Sequence, residues 1–129
     1  MEDVFELTYR YVVPSVRRVL AGKLVEKGML RRKAAETLGL SRSAVSRYLN
    51  SERGMLITIT GLKDMMNMIE KLAERITQEK IDEYMVQEEI AKIATYFMSK
   101  KYFCTTHKKI NPKIDIVRCR ICSKVFSKQ

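Results

Sequence analysis

All three cysteines and the single histidine of this 129-residue chain fall in one short C-terminal segment, as Cys104-x2-His107, eleven further residues, then Cys119-x2-Cys122. Two donors separated by two residues can grip a metal ion from a tight turn, and two such grips complete a tetrahedral Cys3His set for a structural Zn2+. This is zinc-knuckle spacing. Four protein donors would close the coordination shell, and only Asp115 lies near enough in sequence to act as a base, so no enzyme is expected. The same residues also fit a redox-active Cys119 and Cys122 pair, or small buried core side chains. Lys108, Lys109, Lys113, Arg118, Arg120, Lys124 and Lys128 surround them with positive charge, which suits phosphate contacts or docking onto a protein.

A second constellation lies at residues 28–54, GMLRRKAAETLGLSRSAVSRYLNSERG. Ala34, Ala35 and Leu38 place two small residues and one large one on one side of a helix, where a crossing helix can approach closely. Gly39 stands where the chain must turn within a few residues, Leu40 can plug that turn from beneath, and Ser41 is suited to cap the next helix. In that second helix Val45, Tyr48 and Leu49 form the inward stripe, leaving Arg42, Ser43, Ser46, Arg47 and Asn50 outward. Arginine can bond bidentately to guanine, asparagine prefers adenine, and serine serves either partner, so the outward face suits a DNA major groove. The pattern reads as a helix-turn-helix whose recognition helix starts at Arg42, with Arg42, Ser43, Ser46 and Arg47 nearest the bases. Arg31, Arg32 and Asn50 are expected nearest phosphates, with Ser41 at the same edge.

The elements that must hold these groups follow from periodicity. Residues 1–13 carry Val4, Phe5, Leu7, Tyr9, Tyr11 and Val13, which fit a short strand or a helical lead-in equally well. Pro14 suits the first turn of a helix whose inward stripe is Val16, Val19, Leu20 and Leu24 and which Gly28 ends. Outside it lie Arg17, Arg18, Lys23 and Lys27, read mainly as a solvated surface. A turn over 51–54 leads into the apolar, β-branched stretch 55–60, a short strand or a buried linker. Thr60 is then expected to cap a helix over 62–77 with Leu62, Met65, Met66, Ile69, Leu72, Ala73 and Ile76 inward. A helix over 82–100 presents Met85, Ile90, Ile93, Ala94, Phe97 and Met98.

With 46% hydrophobic residues the chain can bury a real but modest core, and its formal charge of +10 favours a polyanionic partner. The excess of lysine and arginine sits at both ends, whereas 61–103 is nearly balanced. No apolar run reaches the ~20 residues needed to span a bilayer, and the acidic start Glu2-Asp3 is unlike a secretory leader, so no membrane partner and a cytoplasmic location are expected.

The residues above resemble those of small archaeal regulators with a Cro/Xre-like helix-turn-helix, a group related to the N-terminal domain of thiamine-gene regulators. The likeness is carried by VVPSVRRVLAGKLVEKG at 12–28, AAETLGLSRSAVSRYL at 34–49 and SERG at 51–54, roughly the first half of the chain. Leu30 stands where the family often has a capping Ser or Thr, and Ser41-Arg42 replace a more usual threonine-glutamine, so no operator sequence carries over. Similar proteins with an added thiamine-phosphate synthase-like domain are longer than this chain, and the resemblance implies no effector.

The expected fold is therefore mainly α: a helix-turn-helix DNA-binding region at 1–60, a helical packing and dimerisation region at 61–103, and a zinc-knuckle lobe at 104–129. The expected function is a sequence-specific transcriptional regulator that binds double-stranded DNA as a homodimer, because two-fold symmetry doubles the contacts of one recognition helix. The competing reading is a protein-interaction adaptor of the transcription or translation machinery, in which the helical fold and the zinc knuckle bind protein.

Overall fold

The computed structural model describes residues 2–50 and 57–127, and among these it is mainly helical, with no strand. The turn expected at 51–54, the start of the 55–60 stretch and Lys128 lie outside the described residues. The helices are α1 (Val4–Leu7), α2 (Val13–Glu26), α3 (Arg31–Leu38), α4 (Arg42–Leu49), α5 (Lys63–Glu74), α6 (Glu83–Ser99), α7 (Cys104–Ile110) and α8 (Ile121–Val125). No helix among them is long and apolar enough to cross a membrane.

Of the two readings open for the N-terminus, the structure takes the helix. Asp3 caps α1 by accepting from the Phe5 N–H at 2.7 Å. A π-helical turn at Thr8–Val12 then joins α1 to α2 without a break. The physical reason is Pro14, which has no N–H for the carbonyl four residues back and whose ring crowds it. Widening the turn lets the Val13 N–H reach the Thr8 carbonyl instead. The buried positions record this: Leu7 and Val12 are five apart, whereas Val12, Val16, Leu20 and Leu24 are each four apart. The extra residue keeps Leu7 on the inward stripe.

Helix α2 is the central element and contacts α3, α4, α5 and α6. Val16, Leu20, Ala21 and Leu24 on it are fully buried. On its outer flank Lys23 and Lys27 are not simply solvated, since both reach Glu70 of α5, at 3.4 and 2.7 Å. One continuous core joins all three sequence regions, from Leu7 through Ile69 and Phe97 to Cys122 and Phe126. At its C-terminal end Phe5 meets Phe126 edge-on at 5.4 Å, and Tyr11 stacks on Phe103 at 5.9 Å.

The expected inward stripes of α5 and α6 are buried inside this one chain, with two corrections. Met85 is exposed and Val86 takes its place, because the helix begins one turn earlier than its apolar face does. Thr60 does not cap α5. Leu62 occupies the cap position without a side-chain bond, and Asp64 in the first turn accepts from the Met65 N–H at 2.9 Å. The second oxygen of the same carboxylate accepts from two phenols, Tyr96 at 2.6 Å and Tyr102 at 2.7 Å. This pins the start of α5 to the end of α6. The chain reverses between these helices through a second π-helical turn, Arg75–Glu79, and Lys80 at φ 52, after which Asp82 caps α6.

Between α3 and α4 the chain turns in three residues. Gly39 adopts φ 68 and ψ 32, and the Gly39 and Leu40 N–H groups return to the Glu36 and Ala35 carbonyls at 3.2 and 2.8 Å. These two bonds form a Schellman motif, which satisfies the last carbonyls of α3 and aims α4.

Two measurements check these joints. The hydrogen bonds from Tyr96 and Tyr102 hold the Asp64 carboxyl below its ordinary range, and the bond to Asp64 pushes the Tyr96 phenol up to about 12. The carboxyl's contribution is therefore present above its unfolded range and lost as pH falls through the folded value. The phenol's contribution is present below the ordinary phenol range and lost as pH rises through the folded value of about 12. Alkaline absorbance titration should show Tyr96 ionising late, and Asp64→Asn should return it toward ordinary behaviour. At the turn, an added Cβ on Gly39 meets only Glu83 and Gln87 side-chain atoms, at 3.5 and 3.6 Å. Gly39→Ala should thus destabilise by about 1–2 kcal/mol through backbone strain alone, and Gly39→Asn by less. Equal denaturation midpoints for Ala and wild type would contradict the left-handed turn.

Candidate nucleic-acid interface

The geometry of α4 follows from its two ends. Ser41 is extended, and its Oγ accepts from the Ala44 N–H at 3.0 Å, so the helix starts at Arg42. That bond uses a lone pair of the Ser41 hydroxyl and leaves its O–H free to donate outward. Along the helix Ala44, Val45 and Tyr48 are buried and Leu49 is half-buried against the core. The opposite stripe carries Arg42, Ser43 and Arg47 exposed, Ser46 half-buried, and Asn50 exposed at the C-terminal end. No acidic residue stands between Ser41 and Asn50. The face expected to be polar and basic is therefore accessible, and the face expected to be apolar is covered.

Helix α3 brings a second basic group. Ala34, Ala35 and Leu38 are buried, which turns Arg31, Arg32 and Lys33 outward in its first turn. Leu30 at the cap position makes no side-chain bond. The first turn thus presents uncapped N–H groups and three cations at the positive end of the helix dipole, where negative charge is the stabilising partner. At the other end of α3, Gln87 of α6 donates from Nε2 to the Leu38 carbonyl at 3.2 Å. The sequence carried no sign of this bond, since a glutamine on an amphipathic helix has no pattern that names its partner. The α2 arginines also differ from a simple wet surface: Arg17 and Arg18 are half-buried, and their Nε atoms are enclosed without a hydrogen-bond partner among the described residues.

The C-terminal segment places Cys104 and His107 one turn apart on α7, both buried. Cys119 follows a turn in which the Asp115 carboxylate accepts from the Val117 and Arg118 N–H groups at 3.1 and 3.3 Å. Cys122 lies in α8 and is buried. The three thiols are within electrostatic reach of one another. Burial pushes Cys122 up to about 11, with Cys104 and Cys119 adding to the rise. Burial also raises Cys104, against the opposing charge of Lys101. His107 packs on the Phe103 ring at 5.6 Å, and burial lowers its pKa against the pull of Glu2. Among the described residues no three His, Cys, Asp or Glu side chains stand together as a group that could hold a metal ion.

The basic surround of this segment is partly committed. Lys108 Nζ donates to the Ile114 and Pro112 carbonyls at 2.7 and 3.2 Å, and Lys101 Nζ to the Ile116 carbonyl at 2.9 Å. These two lysines tether the 111–118 loop. Lys109, Lys113, Arg118, Arg120 and Lys124 remain exposed.

Comparison with protein-family models, with curated proteins and with solved structures returned no match to this chain.

Proposed function

We propose that the chain is a sequence-specific DNA-binding transcriptional regulator, with α3 and α4 forming a helix-turn-helix of the Cro/Xre kind and α4 entering the major groove. The observation that carries this reading is the exposed, acid-free stripe of Arg42, Ser43, Arg47 and Asn50 on a helix whose other side is buried. A recognition surface needs that combination, because side chains can only discriminate bases if the helix beneath them is held still. The Ser41 cap, the Gly39 turn and the Gln87 bond supply the restraint. Arg42 and Arg47 take the base edges with Ser43 and Ser46, while the first turn of α3, with Arg31 and Arg32, takes phosphate. Ser41 and Asn50 sit at the two ends of α4 as further phosphate contacts. A homodimer on a pseudo-palindromic site completes the reading. Since α5 and α6 spend their apolar faces within the chain, the surface open to a second copy includes exposed Phe5, Tyr9, Tyr84 and Met85.

The same reading gives Cys104, His107, Cys119 and Cys122 a structural Zn2+. Their paired spacing supports it, and burial of His107 favours the neutral imidazole that a metal binds; the metal would supply cross-linking of the 111–118 loop to α7 and α8. Each thiol must release its proton to bind, so uptake should strengthen with rising pH.

Binding to a selected site and to random duplex across a salt series tests the function. Arg47→Ala should weaken the cognate site by ~1–3 kcal/mol and leave random DNA nearly untouched, whereas Arg31→Ala should weaken both and reduce the salt slope by roughly one. The absence of any specificity ratio would favour the protein-interaction adaptor. For the metal, elemental analysis should find about one zinc per chain, and Cys119→Ser, at the least buried of the thiols, should lose it while far-UV dichroism is retained. Purified protein free of zinc with three freely reactive thiols would overturn the site.

A further inference from the structure

An open cleft of about 870 Å3 lies between the first turns of α3 and the reversal that follows α5. That volume falls within the range that holds small organic molecules. Met29, Leu30, Ile76 and Ile81 give it an apolar lining, and Leu30, a large aliphatic side chain, is 67% exposed. Its rim is cationic: among the described residues Lys27, Arg32, Lys33 and Lys80 stand against the one carboxylate of Glu36.

These cations are not equivalent. Lys27 is engaged by Glu70 at 2.7 Å, and Lys33 faces Glu36 at 3.9 Å. Arg32 and Lys80 are in none of the ion pairs formed among the described residues. The two threonines of the lining give their hydroxyl protons to carbonyls of their own helices, Thr37 to Lys33 and Thr77 to Ala73. The cations of the rim without an ion pair among the described residues are thus the guanidinium of Arg32 on one wall and the ammonium of Lys80 on the other.

The Lys80 wall is also built in an unusual way. It is formed by a π-helical turn, Arg75–Glu79, closed by Lys80 at φ 52, a left-handed backbone that costs a lysine energy and that a glycine would adopt freely. Departures of both kinds gather where a fold serves a ligand.

We propose that this cleft binds a small amphipathic anion, a phosphate or carboxylate held between Arg32 and Lys80 with an apolar body resting on Leu30 and Ile81. Polyanionic DNA offers phosphate without such a body, so the apolar lining separates this occupant from a stretch of backbone. The cleft shares α3 with the proposed DNA surface, and any effect on DNA affinity rests on that reading. The ligand site itself does not, and it is tested without DNA.

The test uses the full chain labelled with 15N and titrated with phenyl phosphate, with phenol and inorganic phosphate as separate arms. Phenyl phosphate should move the amides of 29–37 and 76–81 saturably, and should bind about ten-fold more tightly than either half alone. Lys80→Gly keeps the left-handed backbone while removing the cation, and should weaken phenyl phosphate about ten-fold without altering the spectrum elsewhere, and Lys80→Arg should restore it. Equal binding of inorganic phosphate, shifts centred on Arg42 and Arg47, or indifference to Lys80→Gly would each overturn the proposal. Failure of specific DNA binding would leave these outcomes unchanged.

Discussion

Helix α2 has to be buried on nearly every side, and the rest of the fold is arranged to meet that constraint. Val16, Leu20, Ala21 and Leu24 have no solvent contact, and four helices supply the surfaces that cover them. Each large aliphatic side chain removed from water in this way contributes roughly 1.5–3 kcal/mol, which makes α2 the main source of cohesion for the helices around it. Ala21 lets a neighbour approach closely, and the π-helical turn before Pro14 extends the same stripe back to Leu7. The short helices α3 and α4, eight residues each, are too short to be stable alone in water. Their conformation depends on docking Ala34, Leu38, Val45 and Tyr48 against this core.

Burial of this kind is not directional, so polar bonds decide how the helices are set against one another. The Asp64 carboxylate bridges three segments through Tyr96, Tyr102 and the Met65 N–H. Glu70 binds Lys23 of α2 and Lys27 just past its end. Gln87 fixes the end of α3. The Glu70 pairs are partly solvated and add little stability, and they flank the buried stripe of Met65, Ile69, Leu72 and Ala73 that sets which face of α5 turns inward. The result is that α4 is held by its N-cap, by the turn before it and, through α3, by α6.

The positive charge of the chain is divided by use. Lys23, Lys27, Lys101 and Lys108 are spent on internal ties. Arg31, Arg32, Arg42 and Arg47 are left exposed on the two short helices. The formal charge of +10 already nets such ion pairs, and four of the exposed arginines lie together where an uncapped helix start and an acid-free stripe favour an anion.

Local chemistry made much of this legible without coordinates. Gly39 and Ser41 specify a turn and a cap through their own backbone and hydroxyl, and the spacing of Val45 and Tyr48 specifies which side of α4 faces in, so the exposure of Arg42, Ser43 and Arg47 could be read from sequence. Spacing also grouped the cysteines with His107, whereas among the described residues no three His, Cys, Asp or Glu side chains stand together as a group that could hold a metal ion. What spacing did not decide was whether the N-terminal residues form a strand or a helix, because Phe5, Leu7, Tyr9 and Tyr11 alternate while Val4, Leu7 and Tyr11 also fit a helical stripe. The missing signal was the five-residue step from Leu7 to Val12, which becomes a repeat only once Pro14 has widened the turn. Likewise, Thr60 looked like a cap from its neighbours alone, whereas Asp64 is selected by phenols more than thirty residues away. The partners of Glu70, Gln87 and Lys108, and the cleft between Arg32 and Lys80, belong to the tertiary structure alone. A side chain's own identity sets its local geometry, but which charge or carbonyl it meets is set by how separate helices pack.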